Sequence, residues 1–430
     1  MELISAIATA QGAGGVAVVR VSGDGALTLA RSMFSRKGEF VPNMMYAGKI
    51  DCGTFSDFGM CVYFQSPRSF TGEDTVEFHC HGGVEIARGV LRQTLALGAR
   101  MAERGEFTRR AFLNGKLSLS AAEGMADMIG AQSEAQVRAG YLLYGEILTK
   151  EGARLQAILK ECLASVDADV DYPEEDLSVD TGKEIALRLS KVQSDLEALK
   201  RQYRAGKKIK SGVSVVLCGK PNAGKSSLLN ALVGYERAIV SAIPGTTRDI
   251  VEGEIEIGGV RFRLTDTAGL REQAEEIEAE GIRRARSVME SADVVVWVRE
   301  DGTQAPTVAD GTELIVVGSK SDLGKQDATC DVCVSVKTGE GIERLRELLY
   351  EKGFGRENDG AFLMEERHYR AVCEAQSATE DALTAIGNGL YAELYAEDLK
   401  RAYVALGTLS GETASEEIIG EIFSKFCVGK

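Results

Sequence analysis

The stretch VSVVLCGKPNAGKSSLLNALVG, residues 213–234, decides the fold of the domain that contains it. An apolar run with the pattern of a buried strand leads into a helical run. Between them lies GKPNAGKS, which matches GxxxxGK[ST]. In this context the glycines let backbone N–H groups wrap phosphates, and the helix N-terminus adds its positive end. The stretch therefore predicts a P-loop in which Lys225 reaches the β- and γ-phosphates and the Ser226 hydroxyl binds Mg²⁺.

The sequence around this loop predicts a P-loop domain with a mixed sheet. Short apolar runs (VSVVLCG, DVVVWVR, ELIVVGS and CVSVK) alternate with helical segments, which is typical of buried parallel strands. The run EIEIGGVRFRL, with Gly258-Gly259 between two alternating halves, predicts one antiparallel hairpin. We expect this domain to span residues 213–356.

Two elements after the P-loop are placed to hold the phosphates and Mg²⁺. IPGTTR, residues 243–248, lies where a mobile loop supplies a threonine to Mg²⁺, and Thr247 is the candidate. DTAG follows the strand-like run RFRLT, so Asp266 is expected to hold Mg²⁺ through water. The N–H of Gly269 is expected to meet the γ-phosphate.

Two further elements favour guanine over adenine. SKSD, residues 319–322, follows ELIVVG at the position where GTPases carry NKxD. Asp322 can accept hydrogen bonds from both N1–H and the amino group of guanine, a pair that adenine does not offer. SVK, residues 335–337, lies at the position of the SAK loop. Together the elements predict a GTPase. The residues expected to contact GTP are Asn222, Ala223, Gly224, Lys225, Ser226, Ser227, Ser241, Ala242, Ile243, Pro244, Gly245, Thr246, Thr247, Asp266, Thr267, Ala268, Gly269, Ser319, Lys320, Ser321, Asp322, Ser335, Val336 and Lys337.

Two positions depart from the common GTPase pattern. Ser319 replaces the usual asparagine, and the loss of one neutral hydrogen bond should weaken binding by about 0.5–1.5 kcal/mol. The charged contact from Asp322 is stronger, at about 1.5–3 kcal/mol, so guanine preference should survive with lower affinity. Leu270 stands where many GTPases carry a water-orienting glutamine. Either the domain is a slow switch, or another carboxylate or amide positions the water.

Three kinds of sequence pattern follow one another along the 430 residues of the chain. Residues 1–116 mix short β-like runs with helical stretches, as in a small α+β domain, and residues 117–212 are helical. Helical patterns return over residues 357–430. The sequence therefore predicts a multidomain α/β and all-α protein, with the P-loop domain inserted into a discontinuous helical domain.

Composition narrows the class of protein. A net charge of −15 argues against non-specific coating of nucleic acid. No stretch is long and apolar enough to cross a bilayer, and the N-terminus lacks the basic region of a secretory signal. Nine cysteines without a disulfide spacing favour reduced thiols. These features predict a cytoplasmic protein with no membrane partner.

Three local patterns receive the simpler of two interpretations. Cys330 and Cys333 form an isolated CxxC, and a structural zinc site would need a second ligand pair. His79-Cys80-His81 ends an alternating run and is interpreted as a strand that leads into a glycine turn. Two basic clusters are interpreted as solvated faces. The clusters are Arg100, Arg104, Arg109, Arg110 and Lys116, and Lys200, Arg201, Arg204, Lys207, Lys208 and Lys210.

With these motifs in view, the sequence resembles the MnmE (TrmE) family of tRNA-modification GTPases over nearly its whole length. The resemblance lies in GGVAVVRVSG, SFTGEDTVEFHCHGG, GEFTRRAFLNGKLSLSAAE, DYPEED, GKPNAGKSSLLNAL, IPGTTRD, DTAGLRE, ERH and the terminal FCVGK, all in the family's order. It implies an N-terminal domain, residues 1–116, that binds folate and dimerises the protein.

The resemblance also implies a function. With a flavin- and NADH-dependent partner protein, in a heterotetramer, the family adds an aminomethyl or carboxymethylaminomethyl group at C5 of the wobble uridine, position 34, of certain tRNAs. The one-carbon unit comes from a tetrahydrofolate derivative in the 5,10-methylene or 5-formyl form. GTP, Mg²⁺ and K⁺ complete the implied set of cofactors.

The family's catalytic residues in the G domain can be carried over position by position. Asn222 is implied as a K⁺ ligand, and Ser241, Ile243 and Thr246 lie where the family's loop wraps that ion. A monovalent cation beside the phosphates can neutralise developing charge. Glu278 matches the water-orienting glutamate, which would resolve the question raised by Leu270. On residue type alone, Asn222 is equally well interpreted as a turn residue.

The implied folate contacts are Arg20, Glu77, Lys116 and Lys430. A carboxylate can pair with pterin N–H donors, and Arg or Lys can meet carboxylates. The loop QGAGG departs from the family's PPGRGG pattern, which leaves the entrance of the pocket undefined. Cys427 matches a proposed nucleophile that activates uridine C6. The alternative for Cys427 is a small buried residue that anchors the last helix.

Two other functions compete with the implied one. A ribosome-assembly or signalling GTPase with helical appendages would bind no folate and would leave FCVGK without a role. A folate-dependent transferase whose G domain only senses nucleotide would bind GTP without K⁺-accelerated hydrolysis. Intact N- and C-terminal motifs and catalytic elements favour the K⁺-stimulated GTPase.

Overall fold

The computed structural model describes residues 2–36, 38–171, 178–234, 253–266, 287–300, 303–324, 329–355 and 360–430. Its contacts divide the chain into two compact units. The first unit comprises Met1–Ala126, Tyr144–Glu175 and Ala392–Lys430, and the second comprises Asp127–Leu143 and Asp176–Tyr391. No helix in the described ranges is long and apolar enough to cross a membrane.

The first unit contains a six-stranded sheet in the order β3-β4-β5-β2-β1-β6. Its strands are β1 (Ile4–Ile7), β2 (Val16–Ser22), β3 (Met45–Asp51), β4 (Ser56–Phe64), β5 (Thr75–His81) and β6 (Arg100–Met101). The predicted β-like runs correspond to β2, β4 and β5, whereas β1, β3 and β6 were not predicted. In β5 the residues Val76, Phe78 and Cys80 are buried, so Glu77 and His79 share the opposite face of the strand.

Three helices accompany this sheet: α1 (Ala26–Met33), α2 (Val84–Ala96) and α3 (Glu106–Leu113). Apolar residues of α1 and α2 join those of β2 and β5 in one buried core, which contains Leu29, Val90 and Phe78. The alternation of β2 and β5 and the helical period of α1 and α2 thus bury one face of the sheet.

The helical segments follow, with α4 (Leu119–Gly130), α5 (Glu134–Tyr144), α6 (Ile147–Asp171) and α7 (Ser178–Ser211). Near the C-terminus lie α10 (Glu366–Gly387), α11 (Ala392–Ser410) and α12 (Glu416–Ser424). In the first unit α6 packs on α11, and in the second α7 packs on α10. The Ser415 hydroxyl caps α12 by accepting from the Ile418 N–H.

The second unit contains the predicted mixed sheet, in the order β12-β11-β10-β7-β9-β8. Its strands are β7 (Val213–Gly219), β8 (Gly253–Ile257), β9 (Val260–Asp266), β10 (Val294–Arg299), β11 (Glu313–Ser319) and β12 (Val332–Val334). Only the β8–β9 hairpin is antiparallel among these pairings. Gly258 and Gly259, with φ of 60° and 78°, form its turn, which confirms the prediction. Helices α8 (Lys225–Gly234) and α9 (Ile342–Gly353) accompany the sheet.

The interpretation of both basic clusters as solvated faces is wrong for their central members. In the first unit Arg110 is 8% exposed and pairs with Glu73 and Glu106, each at 3.0 Å. In the second unit the Lys208 ammonium donates to the Gly353 carbonyl at 2.6 Å. These charges hold segments together, because a buried cation needs partners.

Candidate functional site

The P-loop has the conformation that its sequence predicts. Strand β7 ends at Gly219 and helix α8 begins at Lys225. A Cβ atom on Gly219 would lie 2.1 Å from the Val298 carbonyl oxygen, so this position requires glycine. Asn222, at the exposed tip of the loop, has φ of 63°, which a short polar side chain tolerates.

Two of the three residues predicted to hold Mg²⁺, Ser226 and Asp266, lie side by side. The Ser226 hydroxyl donates to Oδ2 of Asp266 at 2.5 Å, and Asp266 is 1% exposed at the end of β9. Lys225 is 6% exposed, and its ammonium donates to the Lys220 carbonyl at 3.0 Å. Hydroxyl and carboxylate oxygens are the ligands that Mg²⁺ prefers. These residues therefore fit a metal ion beside a phosphate chain.

The SKSD segment lies against the P-loop. Lys320 adopts φ of 58°, and its ammonium donates to the Asn222 carbonyl at 3.1 Å. The same ammonium pairs with Glu300. The Ser319 hydroxyl donates to the Arg299 carbonyl at 3.3 Å. The strand end thus holds the base-recognition loop to the phosphate loop.

Asp322, the residue predicted to recognise guanine, is exposed but oriented by a neighbour. The buried Ser335 hydroxyl donates to Oδ1 of Asp322 at 2.8 Å. The Ser321 hydroxyl donates to Oε2 of Glu340 at 3.0 Å. Val336 and Lys337 are exposed beside them. An aspartate held in this way can accept from N1–H and the amino group of guanine.

The remaining predicted nucleotide contacts separate into two groups. Ala223, 4% exposed, and Ser227, which is exposed, lie in the P-loop segment. The predicted residues that lie outside the described residues are Ser241, Ala242, Ile243, Pro244, Gly245, Thr246, Thr247, Thr267, Ala268, Gly269 and Glu278.

A second cluster of charged side chains lies on the sheet of the first unit. Arg20 of β2 stands directly opposite Glu77 of β5, and its Nε donates to Oε1 of Glu77 at 2.8 Å. Oε2 of Glu77 lies 3.3 Å from Nε2 of His79. Burial disfavours the ionised carboxyl, but the hydrogen bond to His79 and the Arg20 guanidinium outweigh it. The pKa of Glu77 is therefore below its ordinary value.

Aromatic rings and a loop complete this cluster. The Arg20 guanidinium lies over the rings of Phe70 and Phe107, 5.4 and 5.7 Å from their centroids. The Lys116 ammonium donates to the Pro67 carbonyl at 2.9 Å, so Lys116 lies at the same loop as Phe70. One sheet face and one loop thus connect three of the four predicted folate contacts: Arg20, Glu77 and Lys116.

The C-terminal tail lies on the same unit. Val428 forms an isolated antiparallel bridge with Arg104, and the Gly105 N–H donates to the Cys427 carbonyl at 3.4 Å. A Cβ atom on Gly429, where φ is 96°, would lie 2.3 Å from the Ile7 carbonyl oxygen. The chain therefore approaches the end of β1 too closely for any residue but glycine.

The tail exposes its thiol and buries its aromatic ring. Phe426 is 4% exposed and packs with Phe423 and Ile419 of α12, whereas Cys427 is exposed. The alternative in which Cys427 anchors the last helix as a buried residue is therefore wrong, because Phe426 has that role. Lys430 is half-buried, and its N–H donates to the Cys427 carbonyl at 3.4 Å.

Sequence reasoning missed three members of the sheet cluster, His79, Phe70 and Phe107. His79 lies in the strand that was predicted from TVEFHC, and the alternation of that strand already placed it on the face of Glu77. The sequence therefore contained the pattern that places His79 beside Glu77. The contact of Phe70 with Arg20 depends on a loop conformation that no local pattern predicts.

A buried phosphate-loop lysine, a serine–aspartate pair suited to Mg²⁺ and an aspartate suited to guanine define the class of protein, a GTP-binding and GTP-hydrolysing P-loop protein. Comparison with known proteins names the family. Profiles described as "GTP-binding protein TrmE N-terminus" and "MnmE helical domain" match residues 3–116 and 119–427. The chain belongs to the MnmE (TrmE) family.

Individual relatives agree with this assignment. The chain is 41% identical to the tRNA modification GTPase MnmE of Laribacter hongkongensis over 448 residues, covering 100% of this chain and 99% of that protein. It is 38% identical to the protein of the same name from Symbiobacterium thermophilum, with the same coverage. The matches confirm an N-terminal domain and a helical domain into which the G domain is inserted. Because the matches cover the whole chain, no segment remains to serve as the helical appendage of a ribosome-assembly or signalling GTPase.

Among solved structures, the G domain of the FeoB iron transporter from T. maritima is 28% identical. The match covers 33% of this chain and 98% of the FeoB G-domain chain, with a TM-score of 0.24. A likeness at this TM-score does not bear on the site or the function of this chain.

Proposed function

We propose that this protein is a K⁺-stimulated GTPase that modifies the wobble uridine, position 34, of certain tRNAs together with a flavin- and NADH-dependent partner. The product is an aminomethyl or carboxymethylaminomethyl group at C5, and the one-carbon donor is a tetrahydrofolate derivative. The protein acts as a homodimer within a heterotetramer, in the cytoplasm where tRNA is available. Its relatives carry the name tRNA modification GTPase.

The observation that carries the folate half is the position of the tail. Gly429 abuts the carbonyl of Ile7, and Ala6, one residue earlier in β1, stands opposite Arg20. The tail therefore ends beside the strand pair that holds Arg20 and Glu77. An exposed Cys427 next to a folate cluster has the access that a nucleophile toward uridine C6 requires.

The geometry also supports roles for the charged residues. Glu77 is held ionised by Arg20 and His79, so its carboxylate can accept from pterin N–H donors. The proposal pairs Lys116 and Lys430 with the glutamate carboxylates of the ligand. Bound folate supplies the one-carbon unit, and these residues bind and orient it.

For the G domain, the proposal assigns Mg²⁺ to Ser226, Thr247 and, through water, Asp266. It assigns K⁺ to Asn222, Ser241, Ile243 and Thr246, and the orientation of the attacking water to Glu278. Asn222 supports this, since it lies exposed at the loop tip with its carbonyl fixed by Lys320. A K⁺ ion beside the phosphates would neutralise charge that develops during hydrolysis.

The experiment that tests the GTPase half compares hydrolysis in K⁺ and in Na⁺ for wild type and Asn222→Ala. We expect wild type to be faster in K⁺ by about tenfold or more, since cationic stabilisation of this transition state is worth orders of magnitude. Asn222→Ala should lose the difference while it retains GDP binding. Equal rates in all four samples would remove K⁺ from the mechanism.

A further inference from the structure

Two cysteines of the G domain lie in direct contact beside the guanine-recognition loop. Sγ of Cys330 and Sγ of Cys333 are 3.0 Å apart, and both residues are half-buried. A Cβ atom on Gly318 would come within 3.2 Å of each sulfur. The missing side chain of Gly318 therefore leaves the space in which the two sulfurs meet.

Strand pairing connects Cys333 to the base-recognition residues. Cys333 in β12 pairs with Gly318 in β11, and the next pair joins Val334 to Ser319, the first residue of SKSD. Two residues beyond Cys333, the Ser335 hydroxyl orients Asp322 at 2.8 Å. A shift of Cys333 along or across the strand would therefore move the residue that orients the guanine acceptor.

The segment at Cys330 is connected to the same loop from the other side. Its neighbour Thr329 accepts a hydrogen bond from Nη2 of Arg299 at 2.5 Å. The Arg299 carbonyl in turn accepts from the Ser319 hydroxyl at 3.3 Å. Both cysteines thus lie one or two contacts from side chains at the guanine site.

We propose that Cys330 and Cys333 form a reversible disulfide whose formation weakens guanine-nucleotide binding. The oxidant is a small-molecule disulfide such as oxidised glutathione. One thiolate attacks its S–S bond and releases one reduced glutathione, and the second thiolate attacks the mixed disulfide and releases another. Two electrons pass to glutathione disulfide, and the two protons that the protein thiols lose are taken up by the two departing glutathione thiolates.

The direction of the effect follows from packing. An S–S bond is about 2.05 Å long, so its formation draws the sulfurs together by about 1 Å. A close-packed interior transmits such a shift to its neighbours, and a hydrogen bond weakens steeply when its geometry changes. In the part of the chain that the structure describes, no group of three or more His, Cys, Asp or Glu side chains is placed to hold a metal.

Thermodynamic linkage relates the effect of the disulfide on GDP affinity to the effect of GDP on disulfide formation. If the disulfide lowers GDP affinity by a given factor, saturating GDP must shift the thiol–disulfide equilibrium toward the dithiol by the same factor. Coupling of this kind typically amounts to about fivefold or more. Only guanine-nucleotide binding enters this coupling, so the proposal stands or fails independently of the folate chemistry and of K⁺.

The test uses the full chain and fluorescent N-methylanthraniloyl-GDP in reduced and oxidised glutathione buffers. We expect the dissociation constant of wild type to rise about fivefold or more on oxidation. Peptide mass spectrometry should locate the new disulfide at Cys330 and Cys333, and a glutathione titration with saturating GDP should shift by the same factor. Cys330→Ser and Cys333→Ser should bind equally in both buffers, and the control Cys373→Ser should respond as wild type does.

Three results would overturn the proposal. The first is the absence of the disulfide in fully oxidising glutathione, including a result in which added Zn²⁺ occupies the two thiols instead. The second is a disulfide that leaves the dissociation constant unchanged. The third is an oxidation effect that persists in Cys330→Ser, which would assign it to another cysteine.

Discussion

The nucleotide site of the second unit and the charged cluster of the first unit are built in different ways. The nucleotide site gathers loop residues at the carboxyl ends of parallel strands, so short contiguous motifs such as GKPNAGKS and SKSD supply it. The charged cluster gathers single side chains from distant positions, Arg20, Glu77 and Lys116, and the tail at Cys427 lies on the same unit. A contiguous motif can be recognised in the sequence alone, whereas the side chains of a cluster on a sheet face come together only in the folded protein.

This contrast predicts separable functions. Cys427→Ser removes the exposed thiol and should abolish tRNA modification, because FCVGK contains no second thiol, while GTP turnover stays near the wild-type rate. The measurement is modified uridine in tRNA digests from a reconstituted reaction with the partner protein. Cys373→Ser, a substitution of the same kind in the second unit, is the control. Modification that survives in Cys427→Ser would give the tail a binding role only.

Asp322→Asn tests the guanine specificity of the nucleotide site. The loss of a charged double acceptor should weaken GTP binding by about 1.5–3 kcal/mol, or roughly 10- to 150-fold. Xanthosine triphosphate should bind better to the variant than to wild type, because the Asn amide can donate to the carbonyl that replaces the amino group. Competition against N-methylanthraniloyl-GDP measures both. An unchanged order of preference would show that another group selects the base.

Glu106→Gln tests how firmly the first unit is held by its charges. Glu106 is partly buried, but hydrogen bonds from Arg100, the Glu103 backbone and Arg110 outweigh that penalty and lower its pKa to about 2. The substitution should lower the free energy of unfolding by about 2 kcal/mol at pH 7.

The sign of the pH dependence follows from that shift. The contribution of Glu106 is complete above its ordinary pKa of 4.5 and is lost as the pH falls through about 2. In urea titrations, the difference in unfolding free energy between wild type and Glu106→Gln should therefore fall at pH 3 to less than about half of its value at pH 7. Glu85→Gln, whose side chain is 68% exposed, is the control and should show no measurable change. An equal difference at both pH values would contradict the assignment.

Ser319→Asn restores the residue that most GTPases carry and should have the smallest effect. The additional hydrogen bond should tighten GTP binding by about 0.5–1.5 kcal/mol, or roughly two- to tenfold. Titration calorimetry with GDP measures it, and Ser32→Asn, at an exposed position of α1 in the first unit, provides the matched control. A weaker complex in Ser319→Asn would mean that the contact of Ser319 with the Arg299 carbonyl is required here.

The sequence predicted the two regions unequally, for physical reasons. The parallel strands, the Gly258-Gly259 hairpin and the P-loop follow from local periodicity and turn chemistry, and they are confirmed. Strand β1 was missed because ISAI is short and lies between β2 and β6 in the sheet, and β6 is distant in sequence. The Arg20–Glu77 pair depends on the register of β2 and β5, and the burial of Arg110 on three segments at once. No local pattern specifies either.

Titration calorimetry with 5-formyltetrahydrofolate tests whether the charged cluster of the first unit binds folate. Wild type should bind it, and Glu77→Gln should bind it at least about tenfold more weakly, as expected from the loss of a charged hydrogen-bond acceptor. Glu85→Gln should bind as wild type does, and all three proteins should bind GDP equally. No folate binding by wild type, or equal binding by Glu77→Gln, in protein that still hydrolyses GTP would contradict the account.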